Sequence, residues 1–393
     1  MKRVAVLGGG PAGAHAAECL ARAGVATVVL DEKLAWEKPC GGGITYKAYH
    51  QYPFLLNNSA PKKVVTETYL CAPKAGRVRM DLTEPLLIYS RFDLNRMLLE
   101  RAEQAGAQIE QTRVLGLERR DKGWRIRTRH GAIDADFCVV ATGARNPLRE
   151  VGTAWTAADT MTALGYYVPS DRISLDIQFL HDFEGYIWVF PRCGHLSVGI
   201  CGKGETAQTL RARLEQYMIE HELPVEGAHF YAHMLPSLDK KSWSGNRTAG
   251  DGWLAVGDAA GMVDPITGEG LYYAIRSGDL VSRILTNESV APQAKPAAYQ
   301  ALIEKDFTRD LYLGALIARH VYLGRFLFET VPARMVQFIR RSPSFRLLMQ
   351  DLFAGTQNYE TLRDRLLKNL NGTLQEVLMG LFFRRLLPAG SKP

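Results

Sequence analysis

The segment that most restricts what this chain can fold into lies at its amino end, RVAVLGGGPAGAHAAECLARAGVATVVLDEK (residues 3–33). Val4, Val6 and Leu7 predict a buried parallel strand, residues 11–23 a helix, and residues 26–30 a second apolar strand, one βαβ unit. Between strand and helix stands G-x-G-x-x-G as Gly8, Gly10 and Gly13. The first glycine permits a tight turn, the second lets a pyrophosphate approach the backbone, and the third lets helix and strand pack closely. The helix start then offers free N–H groups and a positive dipole end to the phosphates. Asp31, closing the second strand, is placed to accept hydrogen bonds from ribose hydroxyls. Such a unit binds a dinucleotide.

A distant segment says which one. GWLAVGDAAGMVDPITGEGLYYAIRSGDLV (residues 252–281) predicts an apolar strand, then Gly257-Asp258, a glycine-rich turn, and a helix from about Gly270. An extended FAD needs both ends. The Asp258 carboxylate can bond ribityl hydroxyls, and the second helix start can face the electron-rich edge of the isoalloxazine. A nicotinamide dehydrogenase has no use for this second segment, so the expected cofactor is FAD.

With these motifs the chain resembles the p-hydroxybenzoate hydroxylase-like flavoproteins, and among them the geranylgeranyl reductase family. The resemblance covers most of residues 1–300. It rests on GGGPAG, on PCGGG (39–43), on RFDLNRMLLERAEQAGA from Arg91, on GDAAGMVDPITGEG, and on Y-x-W-x-F-P at Tyr186, Trp188 and Phe190. It implies that Ala12 and Gly13 line the pyrophosphate and Asp31 the adenosine ribose. Cys40, Gly41 and Gly43 would form a loop beside the flavin, and Arg91 would reach the phosphates and ribityl chain. Val114 would flank the adenine through its backbone, while Asp258, Gly270 and Leu271 would hold the ribityl chain and pyrimidine edge. The implied activity is saturation of C=C bonds in a polyprenyl lipid or prenyl diphosphate by hydride from reduced flavin. Thr142-Gly143 stands where many relatives carry Asp-Gly, which leaves NADPH or a ferredoxin as electron donor.

EGYIWVFPRCG (residues 184–194) alternates rings with aliphatic residues, so a strand would set Tyr186, Trp188 and Phe190 on one side. Alone, that wall reads as hydrophobic core. Within the flavin framework, Tyr186 and Trp188 are expected to line a deep apolar cavity and to act with Cys40 in catalysis, while Phe190 packs. Cys40 reads equally as a proton donor, as a shaper of the cavity, or as a packed thiol. The other cysteines (Cys19, Cys71, Cys138, Cys193, Cys201) read as buried small residues, and His181 and His195 as solvated turn residues.

The expected fold is α/β plus α+β. A discontinuous Rossmann-like FAD domain takes 1–50, 88–155 and 245–300, an antiparallel-sheet substrate domain 51–87 and 156–244, and a helical basic region 301–393. That last region carries 14 Lys/Arg against 8 Asp/Glu, nearly all of the net +7. Its interleaving of basic and apolar residues, as in VLMGLFFRRLL (377–387), suits a membrane surface better than nucleic acid, although a packed helical subdomain accounts for it equally. No metal site is expected, because the cysteines lack C-x-x-C and histidine partners. No secretory signal or spanning helix is read, so the expected location is cytoplasmic, peripherally membrane-associated at most. The rival readings are a flavin monooxygenase or halogenase, which would use a lysine such as Lys62, Lys63 or Lys74, and a non-catalytic electron-transfer or lipid-binding flavoprotein.

Overall fold

A computed structural model describes residues 3–366. The first sheet is Rossmann-like, with spatial order Ala249–Gly250, Trp253–Ala255, Phe137–Val140, Arg3–Leu7, Ala26–Asp31, Gln108–Gln111. Every pairing but the first is parallel. Val4 to Leu7 and Phe137 to Val140 are buried throughout, as strands covered on both faces must be. Helix Pro11–Arg22 starts with proline at its first position, where no N–H is needed. It lies against helix Leu271–Thr286 so closely that a Cβ on Gly278 would meet the Ala12 carbonyl oxygen at 2.6 Å. The two helices that begin at the ends of the dinucleotide site are therefore one packed pair. A three-stranded antiparallel sheet, Val114–Arg119, Trp124–Thr128 and Gly131–Ala135, sits beside this unit.

The second sheet has eight strands in the order His229–Pro236, Thr160–Pro169, His195–Gly202, Gly185–Pro191, Leu175–Phe179, Lys62–Ala72, Gly76–Tyr89, Gly43–Ile44. It is mixed rather than purely antiparallel, because Leu175–Phe179 runs parallel to Lys62–Ala72. The cause is connectivity. After Gly76–Tyr89 the chain leaves for the other unit (residues 91–140) and returns first as Thr160–Pro169, elsewhere in the same sheet, before Leu175–Phe179 is laid beside Lys62–Ala72. Gly43–Ile44 also joins this sheet, so the glycine loop ahead of it hangs between the two units.

Helices Arg309–Leu323, Val331–Arg341 and Pro343–Ala354 form a roof over one face of the second sheet. Tyr322, Ala333, Val336, Ile339, Leu348 and Met349 share one buried cluster with Leu70, Met80, Ile177, Phe179 and Trp188. The region is not wholly helical: a hairpin, Arg325–Phe326 with Glu329–Thr330, interrupts it. The apolar-basic run 377–387 lies outside the described residues. No helix among the described residues is long and apolar enough to cross a membrane. Several side-chain expectations change: Cys19 and Cys71 are only half-buried, while Cys138 and Cys201 are buried. Cys193 is exposed, because it occupies the turn after the proline. His195 is half-buried, edge-on to Tyr167, with Nε2 buried and unpartnered; burial and then the Arg192 charge lower its pKa.

Candidate active site

The glycine turn acts largely through contact. A Cβ on Gly8 would lie 2.3 Å from the Ala141 carbonyl oxygen, and one on Gly13 2.0 Å from that of Gly8. A Cβ on Gly10 would meet nothing within 4 Å, so the backbone is open on the side where the helix starts. Gly10 caps that helix without any side-chain partner, leaving the first-turn N–H groups for a ligand. Asp31 braces the turn: one carboxylate oxygen accepts from Gly9 N at 2.7 Å, and the other from Lys33 and Leu34 N, both at 2.7 Å.

Arg91 is 3 % exposed and opens helix Arg91–Gln104. One terminal nitrogen donates to Asn95 at 3.3 Å, while Nε is buried with no partner. A buried guanidinium donor without an acceptor is costly. Together with the open backbone at Gly10, it fits a pyrophosphate. Asp258, at the far end, pairs with Lys38 at 3.1 Å through one oxygen. Burial alone would raise its carboxyl pKa, but the Lys38 charge holds it below the usual value, so the ionised oxygens can accept from ribityl hydroxyls. The residues present fit an extended dinucleotide.

The PCGGG loop is clamped from beneath. Arg192, fully buried, pairs with Glu37 and donates to the Cys40 carbonyl and, at 3.4 Å, to that of Gly41. Glu37 also accepts from Ser90 Oγ at 2.6 Å, Arg91 N at 2.9 Å and Phe92 N at 3.2 Å, which makes it an anion at a helix N-terminus. Burial raises its pKa, and Arg192 with these donors brings it down below the ordinary value. Ser197 donates to the same Cys40 carbonyl at 3.0 Å and accepts from Trp188 Nε1 at 3.2 Å. The loop's glycines are spatial necessities. A Cβ on Gly41 would strike the Phe190 ring at 2.7 Å, and one on Gly42, at φ +85°, would strike the Tyr89 carbonyl oxygen at 2.1 Å.

One cavity of about 940 Å³ runs from Gly10, Ala12, Arg91 and Asp258, past Cys40 and Gly43, to the space beneath the roof helices. Its floor is the second sheet, arranged in cross-strand rows. His233, Ala163, Cys201, Tyr186 and Phe179 make one row; Tyr231, Gly165, Gly199, Trp188, Ile177 and Leu70 make the next. Trp188 lies down over Gly199, where a Cβ would touch the indole at 2.2 Å, and meets Tyr186 edge-on at 6.3 Å. Tyr186 donates to the Thr267 carbonyl at 2.6 Å and so ties the floor to the turn before the second cofactor helix.

Of the expected site residues, Gly10, Ala12, Cys40, Gly41, Gly43, Arg91, Tyr186, Trp188, Asp258, Gly270 and Leu271 border this cavity. Gly8, Gly13, Asp31 and Val114 do not border it; the first three shape the turn, and Val114 packs at the edge of the core. Lys62, Lys63 and Lys74 do not border it either, whereas Lys38 and Lys47 do. Phe190 is both packing and lining. Cys40 Sγ accepts from Gly42 N at 3.3 Å.

Sequence reasoning missed Glu37, Arg192, Ser197 and Tyr231, and also His233, whose Nε2 is buried and unpartnered beside the cavity. Burial and then the Lys38 charge keep that imidazole neutral. Alternation in HFYAHMLP puts Tyr231, His233 and Leu235 on one face, the one signal available. A buried polar end was missed too: Lys47, Asp264, Glu269 and Asp310 meet there, and Tyr359 donates to both Asp264 oxygens at 2.8 and 2.9 Å. Burial pushes the Glu269 carboxyl up to about 7.

The sequence matches the FAD dependent oxidoreductase family over residues 88–279 and the pyridine nucleotide-disulphide oxidoreductase family over residues 2–163. It is 30 % identical over 323 residues to a chloroplastic geranylgeranyl diphosphate reductase of Oryza sativa subsp. japonica, covering 72 % of this chain and 66 % of that protein. It is 26 % identical over 367 residues to a menaquinone reductase of Mycolicibacterium smegmatis, covering 84 % and 87 %. The fold superposes on a geranylgeranyl bacteriochlorophyll reductase-like protein of Thermoplasma acidophilum with a TM-score of 0.75 at 20 % identity, covering 94 % of this chain and 99 % of that one.

Proposed function

Since the chain belongs to the geranylgeranyl reductase family of FAD-dependent oxidoreductases, we propose that it saturates C=C bonds of a polyprenyl chain carried by a lipid, a quinone or a diphosphate. The observation that carries this reading is the continuity of the cavity. A dinucleotide-binding end opens without interruption onto an apolar space floored by aromatic rings and roofed by Leu, Ile, Met and Phe side chains. Geranylgeranyl diphosphate and menaquinone, named by the relatives, differ in head group and share a prenyl chain, which is the part an apolar space recognises.

When bound and reduced, the flavin would supply a hydride equivalent to one carbon of a trisubstituted double bond, with protonation of the other carbon leading and making the first partly positive. An isolated alkene has no conjugation to spread the charge that develops. The faces of Tyr186 and Trp188 stabilise partial positive carbon by the quadrupole attraction that serves cations, on the order of 0.5–2 kcal/mol per ring. Hydrogen bonds to Ser197 and Thr267 hold both rings in place, so the alkene meets a rigid wall and is kept at near-attack distance. The roof helices keep water from the apolar part. Cys40, on the clamped loop at the junction of the two halves, is assigned the proton donation. Electrons come from NADPH or a ferredoxin, and the rate of anaerobic flavin bleaching with each donor separates them.

The test is mass spectrometry of prenyl lipids incubated with the flavin-loaded, reduced enzyme under anaerobic conditions. Mass gains in steps of two hydrogens, with reoxidation of the flavin, are expected. Bound lipid that never gains mass would reduce the protein to a carrier. Full turnover by a Cys40→Ser variant would remove the thiol from the mechanism.

A further inference from the structure

The hairpin that interrupts the roof has an unusual tip. Phe326 pairs with Glu329, leaving Leu327 and Phe328 as the two central residues of the turn, at φ +51° and +67°. Two positive φ values in a two-residue connection define a type I′ turn, the place where chains put Asn-Gly because side chains with a full Cβ are strained there. This chain puts two large apolar residues there instead, and leaves them in the open. Phe328 is 102 % exposed and Leu327 47 %. Arg334 holds the strained tip in shape, donating to the Phe326 carbonyl at 3.1 Å and to that of Leu327. Neither folding nor packing accounts for that choice.

The surroundings specify what meets the tip. Phe326 and Arg334 border the cavity, and so do Leu316 and Ile317, both exposed. The cavity lining therefore reaches Phe326, the residue next to the tip. Residues 309–346 carry seven arginines (Arg309, Arg319, Arg325, Arg334, Arg340, Arg341, Arg346) against two acids, Asp310 and Glu329. An apolar tip on a segment of net positive charge matches an anionic bilayer, with acyl chains beneath and phosphate head groups around.

We propose that the Leu327-Phe328 tip inserts into an anionic membrane and sets the cavity mouth at its surface, so that a prenyl chain passes into the site without crossing water. This rests on the prenyl reading for its purpose, but the contact itself is independent of any reaction. A second copy of the chain is the competing occupant.

The test uses the full flavin-loaded chain and sedimented vesicles of phosphatidylcholine alone or with phosphatidylglycerol. The variant pair Leu327→Asn/Phe328→Gly installs the residues that this turn prefers, so the hairpin is kept or strengthened while the apolar tip is lost. Binding to the phosphatidylglycerol vesicles is expected to fall on the order of tenfold or more, with turnover of a detergent-dispersed prenyl substrate unchanged. A Phe328→Trp variant should shift its fluorescence to the blue on those vesicles. Equal vesicle binding by wild type and double variant, or none by wild type, overturns the proposal. So does a double variant that changes oligomeric state in light scattering, which would assign the tip to a second copy. Tip-dependent vesicle binding by a chain that reduces no prenyl substrate would keep the membrane contact and sink the reductase reading.

Discussion

Replacing Gly199 by alanine tests whether the floor of the cavity does what its geometry implies. Gly199 faces Trp188 across the strand pair, and a Cβ there would sit 2.2 Å from Cζ2, 2.6 Å from Cε2 and 2.7 Å from Cη2 of the indole. An ordinary contact begins at 3.4 Å, so the ring must rise by about 1.2 Å into the cavity. Its hydrogen bond to Ser197, now 3.2 Å, cannot survive that tilt. The overpacking and the lost bond together cost roughly 2–4 kcal/mol. Melting of the flavin-loaded protein should drop on the order of 5 °C, and the apparent KM for the prenyl substrate should rise roughly tenfold or more as the floor lifts. Trp188→Phe in the same background shortens the offending ring and should recover most of the lost melting temperature, a coupling that a double-mutant cycle reads directly. Unchanged melting and KM for Gly199→Ala, or strictly additive losses in the double variant, would refute the account of Trp188 lying flat on a glycine floor.

Arg91→Leu should weaken FAD binding by roughly 10- to 100-fold, the worth of one charge-assisted contact of about 1.5–3 kcal/mol. Titration calorimetry reads it, and an unchanged Kd would deny Arg91 the phosphates. Arg192→Met leaves the half-buried Glu37 without its cation and the Cys40 carbonyl without this donor, and should cost roughly 2–4 kcal/mol in urea unfolding. Arg192→Lys should recover only part, because one ammonium cannot serve Glu37 and the Cys40 and Gly41 carbonyls at once; full recovery would reduce the clamp to a charge pair. Glu269 titrates near 7 in the fold against 4.5 ordinarily. The folded chain therefore holds a proton that the unfolded chain releases between those values. Stability contributed by that proton is present at low pH and lost as pH rises to about 7, on the order of 3 kcal/mol. Glu269→Gln should flatten the fall in melting temperature between pH 5 and pH 8, and an unaltered slope would place the titration elsewhere.

How far the sequence could be read depended on the distance over which each feature is determined. Gly8, Gly10 and Gly13 are legible because turn, strand and helix lie within a few residues of one another, and each glycine answers to a neighbour such as Ala141 or Gly8 itself. The aromatic run was half legible. Alternation fixes the common side of Tyr186, Trp188 and Phe190, but not what that side faces. Gly165 and Gly199 on the neighbouring strands and the helices after residue 309 decide that. Arg192 stands inside the stretch that drew attention to the site, yet its partner Glu37 is 155 residues away, and nothing local marks an arginine as fully buried. The parallel pairing of Leu175–Phe179 was illegible for a related reason: a period of two names a strand's face, not its neighbour. The hairpin at 325–330 hid because its turn lacks the residues by which such turns are known.

Prenyl reduction, as proposed, and oxygen chemistry share one fold. A monooxygenase or halogenase and a prenyl reductase begin from the same reduced cofactor, so the fold cannot choose between them. The cavity can. A halogenase needs a lysine at the passage between flavin and substrate. Among the described residues, the two that border this cavity have partners: Lys38 pairs with Asp258, and Lys47 stacks over the Tyr272 ring at 4.3 Å. At the polar end, Asp264 and Asp310 stand against Lys47, and Glu269 adds its charge only as its proton leaves near pH 7, so above that pH this end disfavours a diphosphate and leaves such a head group to the mouth beside Arg334. A prenyl chain would then enter tail first, with its far double bonds nearest the cofactor and its charged end last. Partially reduced products extracted after a few turnovers should carry their saturation away from the head group, as fragment masses would reveal. Saturation beginning at the isoprene unit next to the head group, at a pH above 7, would mean that the charged end goes in first, against the electrostatics of that acidic end.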